Sequence, residues 1–183
     1  MEIWQIILSS ALVSSLLSSV ATWLIGNHAL NKSFKNDYYK LVINKRIAAY
    51  QYIDNQLKTI KISALDDDAK PYHLMFYGDS KTVYKNQHNL IFARANGIWL
   101  SSKMEDALYE LNKLFFEINN SITDDIDGNV VVAKEYYYKV AEARDKVEMQ
   151  LRKDMLVLYD VKGFLKEKRN FKLVKYEVRK KEG

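Results

Sequence analysis

The sequence predicts an all-α protein: an N-terminal transmembrane helix, then a cytosolic helical bundle of about four helices, then a short basic C-terminal tail or edge strand. Three observations carry this prediction. The stretch Ile3–Ile25 contains no charged residue. From Asn31 onward, apolar residues recur mostly at three- and four-residue steps, the period of an amphipathic helix. One Pro and six Gly in 183 residues are too few for the frequent turns of an all-β chain. The implied boundaries are 1–27 for the anchor, 28–162 for the bundle and 163–183 for the tail.

At about 1.5 Å per residue, a helix over Ile3–Ile25 would cross a hydrocarbon core of roughly 30 Å. Trp4 and Trp23 stand near its two ends, where interfacial anchors belong. A signal peptide cleaved after Ala21 is the competing reading. Against it, the segment is preceded by Glu2 and no cation, whereas Lys32, Lys35, Lys40, Lys45 and Arg46 all follow. The same cations orient the chain: a single-pass inner-membrane protein with its N-terminus outside and its remaining domain cytoplasmic.

The segment is two-sided. On a helical wheel Ser10, Ser14, Ser18 and Thr22 form one ridge, and Ala11, Ser15 and Ser19 the adjoining one. Leu12, Val13, Leu16, Leu17, Val20, Trp23 and Leu24 gather on the opposite half. Three uses would explain that segregation. Small-xxx-small ridges let helices pack closely; a ring of helices could line a water-filled lumen with its hydroxyls; or each hydroxyl bonds only the carbonyl four residues back on its own helix. The first two demand self-association.

Past Gly26, the stripe of Phe34, Tyr38, Leu41, Ile47, Tyr50, Ile53, Leu57 and Ile60 predicts a long helix over about 31–62, ended by Asp66–Asp68 and Pro71. An irregular piece then carries Tyr72, Phe76, Tyr77 and Gly78. Asp79 or Ser80 caps a second helix through Tyr84, Leu90 and Ile91 to about Ala95, where Asn96-Gly97 breaks it. Ser102-Lys-Met-Glu105 reads as a capping box for a third, with Leu108, Leu111, Leu114 or Phe115, and Ile118 inward. The fourth is predicted to start near Val130, bury Tyr137, Val140, Ala141, Arg144, Val147, Leu151, Met155 and Leu158, and end before Gly163. From Lys162 to Glu182 the tail holds nine Lys/Arg and three Glu, and Val174, Tyr176 and Val178 alternate with charges as in an edge strand.

Zero Cys excludes a disulfide scaffold, a thiolate metal site and a cysteine nucleophile. Thr123–Gly128 has part of a calcium loop, but Thr stands at its first position and Lys134 where the bidentate Glu belongs. His28, His73 and His88 lie far apart without a zinc-binding spacing. No phosphate-cradling loop or nucleophile elbow appears, so the sequence predicts a non-enzyme without metal or cofactor.

The hydroxyl-rich anchor, the helix order and Arg152 in Leu151-Arg-Lys-Asp154 together resemble the single-pass membrane accessory proteins of type VI-B CRISPR systems. That resemblance implies a divergent HEPN-like helical domain, homo-oligomerisation, a pore that permeabilises the inner membrane in antiviral defence, and partnership with an RNA-guided effector. HEPN nucleases pair an Arg with a His shortly after it; here Arg152 is followed by Val157, Leu158 and Tyr159. Without the imidazole a general acid or base for RNA cleavage is missing, and Arg152 is read as a structural or interface residue. The alternative function is a membrane-tethered binding module without a pore. In it Lys175, Arg179, Lys180 and Lys181 would recruit acidic lipid, RNA or a protein partner.

Overall fold

In the computed structural model the described residues are 3–169, with the side chains of 3–12, 89–91, 94 and 169 outside the description. The predicted edge strand at 174–178 therefore lies outside the described residues, as do Lys175, Arg179, Lys180 and Lys181. The chain divides into two compact units, Met1–Val42 and Ile43–Gly183.

A single helix, α1, runs over Ile3–Lys61, joining the two segments expected on either side of Gly26. Gly26 is tolerated inside it, and Lys58 and Lys61 in its last turn suit the negative end of the helix dipole. Among the described residues no helix is long and apolar enough to cross a membrane. The expected transmembrane anchor and single-pass inner-membrane localisation are corrected accordingly. The reason is visible in the composition of α1. Ser14, Ser15, Ser18, Ser19 and Thr22 dilute its apolar content, and Asn27, His28, Asn31 and Lys32 follow at once.

The stretch expected to be turn and irregular chain is instead partly ordered as a small sheet. After α1, β1 (Ser63–Leu65) and β2 (Pro71–His73) form an antiparallel hairpin in the register Ser63 to His73, Ala64 to Tyr72 and Leu65 to Pro71. Its turn closes through Asp66 N–H to the Lys70 carbonyl at 3.1 Å, with Ala69 in the left-handed region at φ 59°. Lys134 grips this turn by pairing with both Asp66 and Asp68. Those hydrogen bonds from Lys134 hold both carboxyls below their ordinary range. A 3₁₀ turn, Leu74–Phe76, then drops Met75 and Phe76 into the core.

Helix α2 spans Ser80–Ala95, and Asp79 caps it by accepting from the Thr82 N–H at 2.9 Å. Gly78 precedes it at φ 141°, a backbone conformation that favours glycine. Helix α3 spans Ser102–Asn119, and its cap is Ser101, one residue earlier than the predicted box: the Ser101 hydroxyl accepts from Met104 N–H at 3.1 Å. Glu105 points instead to Lys168. Helix α4 begins at Ile126, not near Val130, and runs to Leu156. Asn129 makes the earlier start possible, because its side chain satisfies the backbone of Thr123 on both sides and reaches the Gly78 carbonyl. Gly163 does not follow a helix end; it lies in the first turn of a short fifth helix, α5 (Val161–Arg169), where its N–H donates to Asp160.

The core lies in the second unit. Tyr50, Ile53, Leu57 and Ile60 of α1 share it with Val83 of α2, with Met104, Leu108, Leu111, Phe115 and Ile118 of α3, and with Val130, Ala133, Val140 and Val147 of α4. Phe76 meets Phe115 edge to face at 5.8 Å. The seven-residue steps from Ala133 through Val140 and Val147 end at Asp154, which is buried, while the expected core residue Met155 is exposed.

His73 closes the hairpin side of this core. It is fully buried and stacks on Tyr137 at 4.6 Å between ring centroids; its Nε2 lies 3.2 Å from the Tyr137 carbonyl and its Nδ1 3.3 Å from the Ser63 hydroxyl. Burial depresses its pKa below the ordinary 6.5, with the Arg144 charge adding to the effect. The unfolded chain then binds the proton more readily, so the stability due to neutral His73 is full above about pH 6.5 and is lost as pH falls toward the folded value. Thermal melts of the wild type between pH 7.5 and 5 should show a falling Tm, and His73→Gln should flatten that slope while lowering Tm at pH 7.5.

Candidate functional site

Two constellations stand out: the outward faces of the first part of α1, and a buried polar network with a cleft in the second unit.

On α1, Ser14, Ser15, Ser18, Ser19 and Thr22 are exposed, as are the apolar residues around them. Two of the hydroxyls bond their own helix: Ser19 donates to the Ser15 carbonyl and Thr22 to the Ser18 carbonyl, each at 2.8 Å. Of the three uses weighed for the ridge, that is the local one, and it leaves Ser19 and Thr22 in no need of a lumen or neighbouring helix. The side chains of Trp4, Ser10 and Ala11 lie outside the description. Trp23, expected as an interfacial anchor, is exposed within an apolar stripe.

That stripe continues well past the predicted anchor. Val13, Val20, Phe34 and Leu41 fall every seven or fourteen residues, and Leu16, Trp23 and Leu30 stand three after Val13, Val20 and Asn27. All seven apolar residues are exposed, Trp23 by 65% and Phe34 by 70%. Leu17, Leu24 and Tyr38 widen the stripe along one flank. In heptad terms the first set occupies a and the second d, with Asn27 as the polar a residue and Asp37 ending the d series. The period is hidden in the sequence when the uncharged run is taken as a membrane anchor with a wheel of its own.

The second constellation centres on Asp154, near the carboxyl end of α4. One of its oxygens accepts from the Tyr50 hydroxyl and the Ser101 hydroxyl, both at 2.7 Å, and the other from the Gln150 amide at 2.7 Å. The Ser101 N–H donates in turn to the Tyr50 oxygen at 3.2 Å. Burial, reinforced by the hydrogen bond to Asp154, pushes the Tyr50 phenol up to about 12, so it remains a proton donor throughout the neutral range. Arg46 lies alongside, only 2% exposed. It donates to the Leu158 carbonyl at 2.7 Å and its guanidinium sits 4.2 Å from the Phe164 ring centre. Its Nε has no hydrogen-bond partner among the described residues.

A cleft of about 490 Å³ opens beside this network, lined by Arg46, Ser101, Lys103, Lys153, Asp154 and Glu167 among others. Glu167 of α5 accepts from the Ser102 N–H at 2.7 Å, placing a carboxylate at the positive end of α3. Burial alone would raise the Glu167 pKa, but that bond, the Ser102 hydroxyl and the charges of Lys168 and Arg46 outweigh it and hold it low. Lys168 bonds the Gly97 carbonyl at 2.8 Å and Glu105 at 2.6 Å. Tyr50, Ser101 and Arg46 each bond another element of the fold here, so the arrangement ties helices together. Arg152 stands apart on the exposed side of α4, paired with Glu148 at 2.6 Å, and Lys61 shares the same carboxylate.

Replacing Asp154 by Ala would leave two buried donors, on Tyr50 and Ser101, and the half-buried Gln150 amide without an acceptor, at about 1–3 kcal/mol for each buried group stranded. Urea unfolding should therefore show a loss of about 3 kcal/mol or more for Asp154→Ala. Tyr50→Phe, which removes one arm only, should lose about 1–2 kcal/mol.

No family model, curated protein or solved structure matches this chain, and the functional reading therefore rests on its own residues.

Proposed function

We propose that this protein is a self-associating helical module, in which copies join through the apolar stripe of α1 and bring their folded second units together. The observation that carries the reading is the exposed heptad seam from Val13 to Leu41. Its side chains offer on the order of 1,000 Å² per copy, against about 800 Å² per partner in a standard protein interface. A patch of that size is uncommon on a chain that stays alone in water. Val at two a positions, and a single Asn at a third, support a parallel arrangement in which Asn27 meets its counterpart and fixes the register. The small residues on the opposite side leave the stripe as the contact surface. The pore reading requires a spanning helix; self-association requires only the stripe. The resemblance to type VI-B CRISPR accessory proteins also implies a homo-oligomer, in the service of an RNA-guided effector, and that setting is proposed with it.

Sedimentation equilibrium of the full chain checks the reading. The wild type should run as an oligomer at micromolar concentration. Val20→Glu with Phe34→Glu would bury unpaired charges, each costing about 3 kcal/mol or more, and should give monomers. Ser14→Leu with Ser18→Leu, on the opposite side, should leave the assembly unchanged. Asn27→Leu should tighten association while allowing more than one assembly size. A monomeric wild type at tens of micromolar would overturn the proposal.

A further inference from the structure

We propose that the turn between α4 and α5 is a docking tip for a lipid surface rich in anionic headgroups. It is independent of the α1 stripe and requires no spanning helix, since the contact is peripheral.

The turn is held by its own backbone. Val157 N–H donates to the Asp154 carbonyl, Leu158 N–H to that of Met155, and Asp160 N–H to that of Val157. Leu158 turns inward, 3% exposed, and its carbonyl is fixed by buried Arg46. With Leu158 anchored, its neighbours have nowhere to go but out: Leu156 is 85% exposed, Val157 56% and Tyr159 77%. Together with Met155 they present on the order of 400–500 Å² of apolar surface, the size at which an exposed patch on a single chain is commonly functional. Nothing in the packing of the second unit needs them there.

The rim of this tip is cationic. Lys153 precedes it by one turn of α4, and Lys162 and Lys166 occupy successive turns of α5; all three are exposed. None of them forms an ion pair among the described residues, whereas Lys61, Lys134, Lys146 and Lys168 each hold a carboxylate. The nearby carboxylates are engaged elsewhere: Asp160 with the Gly163 N–H at 2.9 Å, Glu167 with the Ser102 N–H, and Asp154 inside the buried network. An apolar point ringed by unneutralised lysines complements a surface with phosphates outside and acyl chains beneath, since the side chains enter the interface while the ammonium groups stay at headgroup depth. A protein partner would have to match the same apolar residues with an apolar surface of its own, for which the exposed lysines around them offer no support.

Co-sedimentation of the full chain with vesicles of phosphatidylcholine alone, and with about 30% phosphatidylglycerol, tests this. The Val20→Glu/Phe34→Glu background keeps the α1 stripe from dominating the result. Partitioning should favour the anionic vesicles and weaken with salt. Leu156→Ser with Tyr159→Ser should reduce it at least tenfold, and each of Lys153→Gln, Lys162→Gln and Lys166→Gln about fivefold. These positions are exposed, so circular dichroism melts should be unchanged, separating lost binding from lost folding. Equal binding to neutral and anionic vesicles, or tip variants that partition as their parent does, would overturn the proposal. A change in oligomeric state on tip substitution, with vesicle binding intact, would overturn it too by making the turn a contact between copies.

Discussion

The second unit depends on one buried carboxylate. Asp154 takes hydrogen bonds from Tyr50 on α1, Ser101 at the start of α3 and Gln150 on its own helix, and Arg46 beside it reaches the Leu158 carbonyl and the Phe164 ring of α5. Apolar packing brings these elements near one another without fixing how they meet, because the hydrophobic effect has no direction. Hydrogen bonds do have direction, and in a dry interior the penalty for breaking one is large. Asp154 therefore sets the mutual orientation of α1, α3 and α4 at this end of the core. Arg46 adds α5, and Glu167 and Lys168 complete its seat against α3.

At the other end the tie is made differently. Lys134 holds Asp66 and Asp68 in the hairpin turn, and His73 stacks on Tyr137. The ion pairs there are partly exposed and contribute little net stability, whereas the imidazole is fully buried and neutral. The two ends thus respond to different conditions: the hairpin end to mild acid through His73, and the Asp154 end to loss of any one partner.

Much of the helical order was legible in the sequence. The stripe of α3, the Asp79 cap and the break at Asn96-Gly97 follow from local rules that need no tertiary contact, whereas Tyr84, expected on the inward face of α2, is 56% exposed. Elements decided by distant partners were not legible. The hairpin is two three-residue strands steadied by a lysine on α4, and no period is readable over three residues. Asp154 occupies a core position that a carboxylate holds only with its partners, and those partners are 53 and 104 residues away. The apolar seam of α1 was visible in pieces, but treating the uncharged run as a membrane anchor cut it at Gly26. In the site itself the wheel separates the serines from the apolar half of α1, while the buried network is hidden because its members share no spacing.

Ser101 has two roles that cannot be separated. Its hydroxyl oxygen accepts from the Met104 amide, closing the first turn of α3, and its proton goes to Asp154 on α4. Fraying of α3 from its amino end must therefore release the α4 carboxylate, and any movement of α4 away from α1 must uncap α3. A helix terminus, ordinarily the first part of a fold to open, is here wired to the interior. The Met104 amide proton is consequently expected to exchange with solvent only when the whole unit opens, on the slowest timescale the domain has.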